Sequence, residues 1–275
     1  MSTKRIRLVV AYDGTDFRGF AAQAGHRTVQ STLREAVRHI SGDDIEISGA
    51  SRTDSGAHAK GQVCHFDTAN PMDVSRWARV LNQRLPNDIV IVKSTEVAPD
   101  FDSRFFAIDR HYRYRIGIFP RDPHRARYVH FQHRTLDIEK MQEGADILRG
   151  THDYRGFTEE LHPGVLNTVR KLTEFRIRAI RDEVWVDVVG TAFLRGMMRR
   201  MAGALLEVGR GLRPVEEVSR LLDPQERNSL QWPVVLPACG LCLMRVRYGR
   251  HPRDSRTSRP DFSDTSVTDS SGFEE

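Results

Sequence analysis

The stretch "SGASRTDSGAHAKG", residues 48–61, lies between two runs with strand character, "DIEIS" leading into it and "QVCHF" leading out. Ile45 and Ile47 alternate with polar residues, the period-two pattern of a half-buried strand. A hairpin link needs about two to five residues, whereas this one runs to 14. Most of it is small, so Arg52, Asp54, His58 and Lys60 stand out as its larger polar side chains. Gly49, Gly56 and Gly61 admit turns closed to other residues, and the Ser and Ala residues let a ligand approach the backbone closely. Arg52 and Asp54 are two apart, a spacing that points both the same way from an extended segment. Cationic neighbours favour the ionised form of a carboxylate, which suits a salt-bridged structural loop and a catalytic group alike.

Outward from this stretch, strand and helix signals alternate. "RIRLVVAY" predicts a strand. "TVQSTLREAVRHISG" predicts a helix capped by Thr28, with Val29, Leu33, Ala36 and Ile40 as its apolar stripe and Gly42 as its end. "DVSRWARVLNQRLP" predicts a second helix, with Asp73 as cap, Trp77 and Leu81 buried, and Pro86 as the stop. "DIVIVKSTEVA" closes a first unit near residue 105 as a strand. A second unit repeats the rhythm. "HYRYRIGIF" is a strand, and "DIEKMQEGADILRG" is a helix ending at Gly150. "RKLTEFRIRAI" and "EVWVDVVG" form a hairpin across "RDE". "FLRGMMRRMAGALLEVGRG" is a long helix with Met197, Met201, Leu205 and Val208 as its stripe. Pro214 starts a short helix, and "LCLMRVRYG" is the last strand. Hairpins mixed with helices predict an α+β protein of two similar halves, residues 1–105 and 106–250, each an antiparallel sheet backed by helices.

Composition narrows the class. At 275 residues, 39% hydrophobic and 29% charged, the chain reads as an ordinary globule with room for a sizeable core. No apolar run approaches the ~18 residues of a membrane span. The N-terminus has basic residues and a short apolar stretch, but Asp13 and the lack of a small-residue cleavage site argue against a signal peptide. Three cysteines suit a reducing, cytoplasmic setting. Residues 251–275, rich in Ser, Thr, Asp and Arg with almost no apolar residues, predict a disordered tail. That tail holds three Arg against six Asp or Glu, so the overall +5 leaves +8 on the body before it. An excess of this size favours a polyanionic partner without naming it.

Three shorter motifs have bland readings. "AYDGT" (11–15) resembles a phosphatase signature but has Ala11 where the nucleophilic Asp belongs, so it reads as a strand end turning through Asp13 and Gly14. "CGLC" (239–242) has redox or zinc spacing, yet no second cysteine pair completes a four-ligand site, and it enters a strand rather than a helix. "RHYRYR" (110–115) sets Arg113 and Arg115 on one strand face with Tyr112 and Tyr114 on the other. It reads as a half-buried strand, or as a platform where guanidinium groups meet phosphates and bases stack on rings.

"SGASRTDSGAHA" closely resembles the G-x-[GS]-R-T-D-x-G-V-H-A motif of the TruA family of tRNA pseudouridine synthases. "YDGTDFRGF", "TVQSTL", "LNQRLPNDI", "FDSRFFAIDRHYRY", "GTHDYRGF", "TVRKL", "FLRGMMRRMAG" and "PACGLCLMRVRY" extend the likeness, in order, over nearly the whole chain before the tail. Departures are Phe20 and Ala21 in place of Trp and Gln, Ala57 in place of Val, Asp102 in place of His, and Gly196 in place of Asn or His. The resemblance implies two pseudo-duplicated, ferredoxin-like halves whose sheets join into one, with helices outside and the catalytic cleft between them. It implies isomerisation of uridine to pseudouridine at positions 38, 39 and 40 of the tRNA anticodon stem-loop, by a cytoplasmic homodimer with no cofactor, no metal and no membrane. Asp54 would be the catalytic carboxylate and nucleophile, and Arg199 the cation paired with it. Tyr112 would stack on the target base and assist removal of its C5 proton. Arg52 would bind the RNA backbone or push the nucleotide out, and Leu241 would pack beside the uracil.

The chemistry accounts for these residue types. The N1–C1′ bond must break, the base must turn, and C5 must bond to C1′. A carboxylate can add to the ribose, add to the base, or abstract a ribose proton. One carboxylate suffices because no water attacks and no leaving group departs, unlike a glycoside hydrolase with its two carboxyls about 5–10 Å apart. A uridine within a stem must also be flipped out, at a cost of a few kcal/mol that basic and aromatic residues offset. Two alternatives remain on these residues: an RNA-binding protein of the same fold without catalysis, and a nucleosidase that releases free base.

Overall fold

The computed structural model describes residues 3–158 and 167–249, so the predicted tail lies outside the described residues. Alternation in "KRIRLVVAY" becomes β1 (Lys4–Tyr12), with Ile6, Leu8, Val10 and Tyr12 buried. Helix α1 (Val29–Ser41) starts at Thr28, whose side chain accepts the Ser31 N–H, and ends at Gly42 in the left-handed region. Next come β2 (Ser48–Gly49), β3 (His58–Thr68), α2 (Arg76–Asn82) and β4 (Ile89–Val97). The chain continues through β5 (Ala107–Ile118), β6 (His130–Gln132), α3 (Ile138–Leu148) and β7 (Gly150–Asp153). A hairpin of β8 (Val169–Ile180) and β9 (Glu183–Gly190) leads to α4 (Met197–Gly209), α5 (Glu216–Leu222) and β10 (Leu241–Tyr248).

Among the described residues all ten strands form one sheet in the order β4-β1-β3-β10-β5-β9-β8-β7, with β2 on β3 and β6 on β5. Pairing is antiparallel except for β3 with β10 and β5 with β6. The α+β fold with joined antiparallel sheets is therefore present. The join is made by the last strand: β10 sets Cys242 opposite His58 on one side and Leu241 opposite Tyr114 on the other. Helix α2 packs on β4, α3 on β8 and α4, and α4 on β5.

Four local expectations change. The strand before the central stretch shrinks to β2, because Ile45 and Ile47 are buried without pairing in the sheet. Residues 58–61 belong to β3, where Ala59 pairs with Tyr12 and His58 with Cys242, so the link is 50–57 rather than 48–61. Asp73 does not cap α2; it accepts the Ser75 N–H in the turn before it, and α2 begins only at Arg76. Gly150 is not the end of α3 but the start of β7, at φ +128°. Helix α4 is more than striped. Ten of its 13 residues are buried, because it is covered by α3 on one side and by the irregular segment 230–237 on another.

The face of β5, β8 and β9 away from the tyrosines carries an ion cluster. Asp187 is buried and accepts from His111 (2.7 Å), Arg113 (2.9 Å) and Arg178 (2.7 Å). Burial pushes its carboxyl up, but these hydrogen bonds outweigh burial and hold it well below the usual carboxylate range. A depressed folded value means stability that is present above the unfolded pKa of about 4 and is lost as pH falls below it. Asp187→Asn, which leaves two guanidinium groups without their buried partner, is expected to cost about 3 kcal/mol. Thermal melting at pH 7 checks this, and the difference from wild type should shrink toward pH 3. An unchanged midpoint at pH 7 would mean that the cluster adds nothing.

Among the described residues no helix is long and apolar enough to cross a membrane. Cys64, Cys239 and Cys242 are free.

Candidate active site

Four side chains from three strands grip residues 50–53 from below. Gln62, on the inward side of β3 with Cys64 and Phe66, donates to the Ser51 carbonyl (2.6 Å) and accepts the Ser51 N–H (3.2 Å). Arg110 of β5 donates to the Ala50 carbonyl (3.1 Å). The Tyr112 hydroxyl meets Ser51 Oγ at 2.5 Å, and the Tyr12 hydroxyl meets Thr53 Oγ1 at 2.7 Å. From above, the 13–20 loop closes on the stretch, with Phe20 N–H donating to the Thr53 carbonyl and Gly56 N–H to the Phe17 carbonyl. Gly14 permits this approach: a Cβ there would lie 1.9 Å from the Ala57 carbonyl oxygen.

Asp54 emerges at the end of the gripped segment, partly exposed. Its Oδ2 lies 3.3 Å from Nη1 of Arg199 on the first turn of α4. That separation exceeds the ~2.7–2.9 Å of a tight charge-assisted bond, so the carboxylate is oriented but loosely held. Arg199 itself is anchored, because its Nε donates to the Leu236 carbonyl at 2.6 Å. The turn into α4 runs through Gly196 at φ +68°, a conformation that glycine adopts without strain. Gly196 is one of the positions at which the sequence departs from the resembled pattern.

Tyr112 is buried, with its ring edge against Phe193 at 4.9 Å. Burial pushes its phenol up to about 12, so it is a neutral hydrogen-bonding group at neutral pH. Leu241, also buried, begins β10 directly after the turn whose Ala238 faces Gly56. Arg52 is exposed and makes no hydrogen bond or ion pair among the described residues.

His58 and Lys60, grouped with Asp54 by sequence, lie elsewhere. His58 is buried: its Nδ1 accepts the Gly14 N–H at 3.0 Å and stands 3.2 Å from Asp13, while Nε2 faces the Arg127 and Cys239 carbonyls. It is a structural pin, held below the ordinary imidazole value by burial despite Asp13. Lys60 is exposed on β3. Arg113 and Arg115 are also committed, to Asp187 and Glu183 respectively, so the "RHYRYR" platform does not present them free to phosphate. Phe20 is buried with its ring against Gly49, and Ala57 is buried as well. Gln62 and Arg110 escaped the sequence reading. Their signal was a polar residue on the inward parity of a strand, Gln62 with Cys64 and Arg110 with Tyr112 and Tyr114.

A grip from three strands thus brings a carboxylate at an exposed loop end against a guanidinium 145 residues away in sequence, a pairing of the kind that acid–base or nucleophilic chemistry uses. A family model described as tRNA pseudouridine synthase matches residues 8–105 and 145–249. Arg52, Asp54, Arg199 and Leu241 lie inside the matched segments, and Tyr112 lies between them. The chain is 40% identical over 246 residues to tRNA pseudouridine synthase A of Brevibacillus brevis, covering 89% of this chain and 100% of the relative. It is 38% identical, with the same coverage, to tRNA pseudouridine synthase A of Clostridium kluyveri. Likeness to the crystal structure of a Cbf5-Nop10-Gar1 complex is weak, with a TM-score of 0.30 at 9% identity over 73% of this chain and 54% of that one, and it carries no argument. The chain belongs to the tRNA pseudouridine synthase family, which makes it an isomerase.

Proposed function

We propose that the chain converts uridine to pseudouridine at positions 38, 39 and 40 of the tRNA anticodon stem-loop, as a cytoplasmic homodimer, with Asp54 as the single catalytic carboxylate. The observation that carries the reading is the 3.3 Å apposition of Asp54 and Arg199, residues 145 apart in sequence. In this reading Arg199 fixes the direction of the carboxylate toward the ribose or base. Tyr112 offers its ring to the uracil and its neutral hydroxyl to the Ser51 hydrogen bond that steadies the loop. Leu241 closes the apolar side of the base pocket. Arg52, exposed at the loop surface, meets phosphate beside the flipped nucleotide.

The activity is tested by release of tritium from C5-labelled uridine in an unmodified tRNA transcript. A non-catalytic binder releases none, and a nucleosidase liberates free uracil instead. Single-uridine substitutions at 38, 39 and 40 test the positions.

The charge on the body supports a polyanion and makes a separate prediction. The logarithm of tRNA affinity should fall linearly with the logarithm of salt concentration, with a slope of roughly −3 or steeper. Arg52→Ala should flatten it by somewhat under one unit. Arg113→Ala and Arg115→Ala should leave it nearly unchanged, since both guanidinium groups already pair with protein carboxylates. A flat profile for wild type would remove the phosphate-contact argument.

A further inference from the structure

Phe105 is held out into water beside the gripped loop. It is 80% exposed, the highest value among the exposed large apolar side chains of the described residues. Its position is not slack. Asp102 accepts the backbone N–H groups of both Arg104 (2.7 Å) and Phe105 (2.8 Å), and the Phe106 N–H returns to the Asp102 carbonyl at 3.1 Å. The turn is then tied to the site by the buried Arg110. One nitrogen of that guanidinium, Nη2, donates to both the Arg104 carbonyl (2.8 Å) and the Ala50 carbonyl (3.1 Å). Its other terminal nitrogen donates to the Thr191 carbonyl at 2.7 Å. The turn bearing Phe105 and the segment leading to Asp54 therefore share one anchoring atom.

Single exposed apolar side chains are ordinary on protein surfaces; what sets this ring apart is the stiffened turn that fixes its position beside the gripped loop, and the cation next to it. The Arg104 guanidinium carbon lies 5.8 Å from the Phe105 ring centroid, and Arg104 is exposed with no ion pair among the described residues. A planar cation beside an exposed ring suits a ligand that is flat, apolar on its faces and anionic at its edge. A nucleobase with its phosphate has that chemistry.

We propose that Arg104 and Phe105 form a second RNA contact, on which an unpaired base of the substrate tRNA neighbouring the target nucleotide stacks while Arg104 meets its phosphate. This rests on the function proposed above and adds a base-stacking position to it. The Asp102 carboxylate, at a position where the resembled family commonly has His, shapes the turn that presents the pair.

Because both side chains are exposed, their variants are expected to fold, and melting curves check this. Binding is measured with an unmodified tRNA transcript, and turnover by tritium release. Phe105→Ala should weaken binding about tenfold, equivalent to about 1.4 kcal/mol, with the salt slope unchanged. Phe105→Tyr should bind within about twofold of wild type, and Phe105→Leu about as weakly as the Ala variant, since a stacked base needs a π-face. Arg104→Ala should flatten the salt slope by somewhat under one unit. Phe105→Ala binding like wild type, or Phe105→Leu restoring affinity, would overturn the stacking position. Wild type that binds tRNA but releases no tritium would instead defeat the proposed function, so the two failures are distinguishable.

Discussion

Asp54→Asn is expected to lower tritium release from labelled tRNA by at least about 10³-fold, a loss in the range seen when a covalent or proton-transfer group is removed. The amide keeps the size and shape of the carboxylate but can neither add to carbon nor accept a proton. Little else should change. The side chain's ion pair is the loose 3.3 Å contact with Arg199, and the amide oxygen of an asparagine can still accept from the same guanidinium. The loop is held by backbone and by Tyr12, Gln62, Arg110 and Tyr112, none of which the substitution touches. The melting temperature should therefore stay close to wild type and tRNA affinity within a few-fold. Turnover above a tenth of wild type would remove Asp54 from the catalytic role.

Arg199→Ala should reduce kcat by about 10²-fold, comparable to deleting one preorganised donor from an active site, with affinity for tRNA changed only a few-fold. Arg199 uses two different nitrogens at once, Nε on the Leu236 carbonyl and Nη1 on Asp54. A lysine carries a single point of charge and cannot span both, so Arg199→Lys should recover less than about fivefold of that loss. Combined with Asp54→Asn, the Ala substitution should cost almost nothing further, because the two groups act as one unit. A Lys variant at the wild-type rate would show that charge alone is needed there.

Much of this architecture is legible in the local chemistry of the chain. Thr28 and Gly42 bracket α1 because capping is a local matter, decided by a side-chain oxygen at one end and a left-handed residue at the other. Trp77, Leu81, Met201 and Leu205 are buried as their helical spacing predicts. Where local patterns mislead, a distant partner decides. Four residues of the apparent loop are strand because β1 and β10 are there to pair with them. Asp73 turns the chain two residues before the N-cap, Ser75.

The site divides the same way. Small residues, one glycine and one carboxylate at 50–57 mark a candidate site in the one-dimensional chain, since composition and spacing are local properties. Which cation faces that carboxylate is not local. His58 and Lys60 are its neighbours in sequence, yet strand alternation and the Gly14 contact carry His58 into the core, while Arg199 arrives from 145 residues away. The commitment of Arg113 and Arg115 to Asp187 and Glu183 is likewise invisible until β5 lies beside β9. Periodicity, caps and the loop's chemistry belong to the chain alone. The ion pairs, the Arg110 anchor and the seam at β10 come only with the tertiary structure, because electrostatic and hydrogen-bond partners are chosen by distance in space, and only folding sets that distance.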